Sequence, residues 1–98
     1  MDKRIKKKWV DALRSGKYKQ GQGRLKGVDD TYCCLGVLCK IANIPSNYYM
    51  GYLPSVSLDR LGLDSTNPII TKDGRTAAEC NDNGMSFKRI ANLIERNL

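Results

Sequence analysis

Ninety-eight residues are enough for one domain with one modest core and too few for two. With 41% hydrophobic and 28% charged residues, the composition is that of an ordinary globular chain and excludes a disordered or fibrous one. The formal net charge of +7 is unevenly placed: through Val28 ten Lys and Arg face only Asp2 and Asp11, giving +8, whereas from Asp29 onward seven basic residues meet eight acidic ones, giving −1. A positive excess gathered in the first quarter points to an anionic partner, which nucleic acid, a phosphate-bearing small molecule or an acidic protein face would each satisfy. The plainer reading of the same charges is a solvated basic helix that keeps the protein soluble.

From Asp2 to Ser15, Ile5, Trp9 and Leu13 recur at steps of four with Ala12 beside them, which predicts an amphipathic helix with one apolar stripe. Asp2 suits its start and Gly16 its end. Lys3, Lys7 and Arg14, with Lys6 nearby, form a basic ridge on the other side. In the following KYKQGQGRLKGVDDTYCC, Gly21, Gly23 and Gly27 oppose a helix, Tyr18, Leu25, Val28 and Tyr32 favour strand, and Asp29-Asp30 favours a turn. The expectation is a short hairpin pairing residues 23–28 with 31–33.

Between Cys34 and Asn43, apolar residues at positions 34, 37, 38 and 41 overlap a second set at 35, 38, 39 and 42, so the helix is apolar nearly all round and belongs at the centre of the fold. Pro45 and SNYYMGYLP read as an irregular connection, SVSLDRLGL as a short helix stopped by Gly62, and NPIITKDG as a short strand ending in a turn. One more helical turn is expected over residues 75–80. Ser86 caps a last helix in which Phe87, Ile90, Ala91, Ile94 and Leu98 share a face. The fold class expected is α+β, a single domain over residues 1–98, with a central buried helix at about 34–43 covered by the N- and C-terminal helices and a short β-hairpin.

Three of the four cysteines fall within TYCCLGVLCKIA. Their spacing, adjacent and then five apart, with Cys80 far downstream and no histidine in the chain, is not that of a zinc site. No apolar run of about 18 residues predicts a membrane span, and the basic start lacks the apolar stretch of a secretory signal, so a reducing cytoplasm is the expected location and disulfides are disfavoured. A nucleophilic thiol normally leans on a histidine or a helix N-terminus, which leaves only Cys33 and Cys34 with that option. Packing is the reading that suits all four thiols.

The segment KYKQGQGRLK carries the case for an anionic ligand. Its glycines let backbone N–H groups approach a ligand, Lys17, Lys19, Arg24 and Lys26 supply charge, and Tyr18 supplies a stacking face. With Arg14, Gln20 and Gln22 these make the candidate ligand-binding set, and Asn81, Asp82 and Asn83 are secondary candidates at its rim. The spacing matches neither a P-loop nor a dinucleotide fingerprint. An EF-hand begun at Glu79 or Asn81 would need an acid at Ile90 or Asn92, and neither is one. No metal, cofactor or catalytic residue is assigned, since the acids are scattered and the general bases few.

The blocks KWVDALRSGKYKQGQGRLK, YCCLGVLCKIAN and CNDNGMSFKRIANLIE resemble a family of small tailed-phage and prophage proteins with no assigned activity. The resemblance implies a phage accessory product made inside a bacterium, and by analogy with such products one that binds a target and counters a host defence without catalysis. The target is then a nucleotide immune signal, a host defence protein with an acidic face, or DNA or RNA held without sequence reading. A site that encloses a nucleotide would form most easily between subunits of a homo-oligomer. Arg89 departs from the acidic capping partner expected for Ser86, and residues 45–75 match no known pattern.

Overall fold

The computed structural model describes residues 1–46 and 50–98. Asp2 opens α1 (Lys3–Arg14): its side chain accepts from the Ile5 N–H at 2.9 Å and so satisfies one of the amides that a helix start leaves without a partner. The chain leaves the helix through Gly16 at a φ of 78°, a left-handed angle that glycine adopts without steric cost. Trp9, Val10 and Leu13 are buried, so the stripe read from the sequence faces the core.

α2 (Cys34–Ile41) is the centre, with every residue from Cys34 to Cys39 buried. A helix apolar on all sides is stable in water only when other elements surround it. α1 and α4 (Ala77–Asp82) pack on it directly, and α5 (Phe87–Asn97) closes the core by packing along α1 and against α4. The Trp9 indole N–H donates to the Cys34 carbonyl at 2.8 Å, which fastens α1 to the first turn of α2 and leaves no buried indole donor unpaired. The fold is mixed α+β, as expected.

Strand structure is smaller and differently connected than the hairpin read from the sequence. β1 (Lys19–Gln20) and β2 (Thr31–Tyr32) pair in parallel, Lys19 beside Thr31 and Gln20 beside Tyr32. Residues 23–28 meet β2 only at one antiparallel bridge, Lys26 with Tyr32, and through the Gly27 N–H to the Thr31 carbonyl at 2.8 Å. The reason is Leu25, which is fully buried and whose N–H donates to the Met50 carbonyl at 2.7 Å, so this stretch dives into the core before a ladder can extend. The expected strand in NPIITKDG is likewise a single bridge, Ile69 with Thr76, around a tight turn. There the Thr71 hydroxyl donates to Asp73 at 2.5 Å and accepts from the Arg75 N–H at 2.8 Å.

A 3-10 turn (Ser55–Ser57) runs into α3 (Leu58–Leu61), which stops at left-handed Gly62. The helical turn expected at 75–80 is α4, displaced two residues onward because Thr76 and Glu79 form a capping box. Ser86 caps α5 as expected, its hydroxyl accepting from the Arg89 N–H at 3.3 Å. Residues 47–49 of the SNYYMGYLP connection lie outside the described residues. Among the described residues, no helix is long and apolar enough to cross a membrane.

Candidate anion-binding surface

Burial of Trp9, Val10 and Leu13 turns the opposite arc of α1 to solvent, and Lys3, Arg4, Lys7, Lys8 and Arg14 are all exposed on it. The only acid on this helix is Asp11, which Lys7 holds at 3.1 Å one turn away. Lys6 is half-buried toward α5. The basic ridge is therefore real surface.

The candidate set in residues 14–26 is divided among different tasks. Arg14 is engaged: its guanidinium donates to both Glu95 carboxylate oxygens, at 3.1 and 3.2 Å, and to the Asn92 side chain at 2.7 Å. It clasps α1 to α5, and the bond holds the Glu95 carboxyl below its usual range. Gln20 is engaged too, its amide nitrogen donating to the Asn81 side chain at 2.9 Å and to the Met85 carbonyl at 2.8 Å. Gln22 donates to the Asn81 carbonyl at 3.3 Å. Lys17 and Lys19 are exposed, whereas Tyr18 is half-buried with its ring edge-on to Tyr32, centroids 5.7 Å apart. Arg24 borders a hollow with Tyr52 and Asp82, and Lys26 borders a different one with Lys40 and Asn43. The hollow that Lys17 and Tyr18 line is a separate one, bordered by neither Arg24 nor Lys26.

Two of the three glycines of this loop, Gly21 and Gly27, press against the protein, while a Cβ on Gly23 would meet open space. A Cβ on Gly21 or Gly27 would run into the Thr31 side chain. The loop is held down by Asn81, which the sequence placed at the rim of a site and which the structure buries completely. Its side-chain oxygen accepts from Gln20 and from the Cys34 N–H at 3.1 Å, and its amide donates to the Gly21 carbonyl at 2.7 Å. Asn81 is an internal fastener, and it occupies the first amide of α2 that an anion would otherwise seek. Asp82 accepts from the Gly23 N–H at 2.9 Å, so it also serves the loop, and Asn83 is an exposed helix end.

All four thiols are buried, as the packing reading requires. Burial pushes each of them up, Cys39 to about 12, so the neutral thiol is favoured over the nucleophilic thiolate. Cys34 also has its sulfur 3.4 Å from the Ala77 carbonyl.

Where α1 meets the start of the loop, one hollow of about 430 Å³ joins the two features that the sequence singled out. Lys8 and Lys17 border it, Tyr18 and Ile41 give it an apolar wall, Asp11 also lines it with its carboxylate paired to Lys7, and the Ser15 hydroxyl there already donates to the Ala12 carbonyl. Two cations beside an aromatic face suit an anion that carries a planar or apolar group. Lys8 and Ile41 were absent from the sequence set. Helical spacing was the available signal: Lys8 precedes Ala12 and Ser15 by four and seven residues and so shares their face.

A family profile described as Domain of unknown function (DUF8296) matches residues 1–51. No curated protein and no solved structure matches the chain.

Proposed function

The chain belongs to this DUF8296 family, a domain of unknown function whose matched residues 1–51 hold α1, the loop and α2, and from that premise we propose that the protein binds an anionic target, without catalysis, through the exposed face of α1 and the adjoining Lys17–Tyr18 edge. The observation that supports this is the α1 surface, where Lys3, Arg4, Lys7 and Lys8 are exposed and Asp11 is the one acid. The buried, neutral thiols argue against a cysteine nucleophile.

The resemblance of its three sequence blocks to small tailed-phage proteins supports a role as a phage accessory product that acts in the host bacterial cytoplasm against a defence system. The Lys8–Lys17–Tyr18 hollow favours a nucleotide signal as one form of the target, with an acidic host protein or a nucleic acid as the others. A homo-oligomer would wall this hollow off, and light scattering reads that directly.

The test is binding by immobilised protein to a nucleotide mixture, a nucleic-acid duplex and an acidic protein, compared with K8Q/K17Q and K3Q/K7Q variants. Retention of at least one probe, weakened by these substitutions, is the expected result. Retention that both double variants leave unchanged removes this surface from the function. Recovery of a chemically altered nucleotide beyond one equivalent ends the non-catalytic reading.

A further inference from the structure

Three segments that meet in space carry a concentrated positive charge. α1, α5 and the turn over residues 71–75 hold eleven Lys and Arg and only three acids, a net +8 against +7 for the full sequence. The loop over residues 15–28 adds four cations and no acid, and the remaining residues are net acidic at −5. Folding brings the three together: α1 and α5 lie side by side, clasped by Arg14 and Glu95, and the turn is tied to α5 by the Asn97 side-chain amide donating to the Ile70 carbonyl at 2.7 Å. Each of the three acids is neutralised within its own face, Asp11 by Lys7, Glu95 by Arg14 and Asp73 by Arg75.

Two hollows flank the last turns of α5. On one side Lys3, Lys6 and Lys7 border a groove of about 370 Å³ that Asp11, Val10 and Glu95 also line. On the other, Lys72, Arg75 and Arg96 border a hollow of about 390 Å³ against Leu93. Glu95 and Arg96 are consecutive, so one helix ridge separates the two. Lys3, Lys72 and Arg96 form no ion pair among the described residues.

This charge is spread over a ridge and its two flanks, and is not gathered in one enclosed cavity. A small anion would use one hollow and leave the other idle. A protein partner would be expected to seat an apolar or aromatic anchor. Among the described residues, the large exposed apolar side chains, Val28, Tyr52, Val56 and Ile69, line neither hollow. A phosphodiester backbone needs only cations placed along its path.

We propose that the partner is a nucleic-acid duplex held by its backbone, without base reading, across the ridge of α5, with Lys3 and Lys7 on one flank and Lys72, Arg75 and Arg96 on the other. This rests on the anionic-target reading above and adds the second flank and the partner class.

The experiment measures binding of short mixed-sequence DNA and RNA duplexes by fluorescence anisotropy across a salt series, for the wild type and the variants K3Q/K7Q, K72Q/R96Q and K40Q. All five substituted residues are exposed, and unchanged melting temperatures confirm folding. The logarithm of the binding constant should fall linearly with that of salt, and each double variant should flatten the slope by roughly 1.8, about 0.9 per lost phosphate contact. K40Q should change nothing. Binding of either duplex or both with this pattern supports the proposal and identifies the backbone. If only K3Q/K7Q flattens the slope, the second flank is overturned while the α1 reading stands. If neither duplex binds at low salt but a nucleotide or an acidic protein does, the partner class is overturned and the anionic-target reading survives. If no anionic probe binds, that reading itself fails.

Discussion

Gly36 and Leu25 meet backbone to backbone: a Cβ on Gly36 would overlap the Leu25 carbonyl. The loop lies directly on the central helix because one residue of that helix has no side chain. A glycine inside a helix ordinarily costs about 1 kcal/mol relative to alanine, so this position trades propensity for contact.

G36A should therefore destabilise the protein. Overpacking against main chain costs roughly 1 to 3 kcal/mol or more, which exceeds the helix propensity that alanine restores. A urea midpoint below that of the wild type is the expected result, and a higher one would show that the loop can lift away.

Asn81 joins three partners distant in sequence, so N81A leaves the Cys34 N–H and the Gly21 carbonyl without their bonds inside the protein. At roughly 1 to 3 kcal/mol for each buried group left unpaired, a loss on the order of 3 kcal/mol is expected in denaturant melts. Amide exchange should quicken first at Cys34, whose N–H loses its acceptor, whereas the Gly21 N–H keeps the Tyr32 carbonyl.

The thiols should react slowly with a thiol reagent in the native protein and rapidly once it is unfolded. Their raised values also predict alkaline lability. A group favoured in its neutral form contributes fully below its unfolded value, 9.0, and that contribution is lost as pH rises toward the folded value, about 12 for Cys39. Thermal melts above pH 9 should show a progressive fall that C39A makes shallower.

At the acid end the signs reverse. The Glu95 carboxyl is lowered from 4.5 by the Arg14 hydrogen bond and then by its charge, and Asp73 from 3.8 by the Thr71 hydroxyl and then by Arg75. Stability from each is present above the ordinary value and lost as pH falls through the lower folded one. E95Q should lower the melting temperature slightly at neutral pH and flatten the acid limb, and added salt should shrink both effects.

Helices α1, α2 and α5 were legible because a 3.6-residue period is written locally, in Ile5, Trp9 and Leu13 or in Phe87, Ile90 and Ile94. The loop was not. Its glycines and lysines look alike whether they face a ligand or the protein, and what decided the matter was Leu25 entering the core and Asn81 waiting there, partners that lie far apart in the chain. The charge asymmetry of the first quarter was legible, but the second cationic flank was not, since Lys72, Arg75 and Arg96 join it only through the packing of α5.

The limit of family similarity at residue 51 is not a limit of folding. A peptide of residues 1–51 would retain Trp9, Leu25 and the helix of Cys34 to Ile41, yet lose the side chain that caps that helix and pins the loop. It should show no cooperative melt by circular dichroism. The matched half is thus no unit of stability by itself: the group that pins its loop and heads its central helix comes from position 81, and its core is closed by Leu61, Ile70, Ile90 and Ile94, all fully buried and all beyond residue 51.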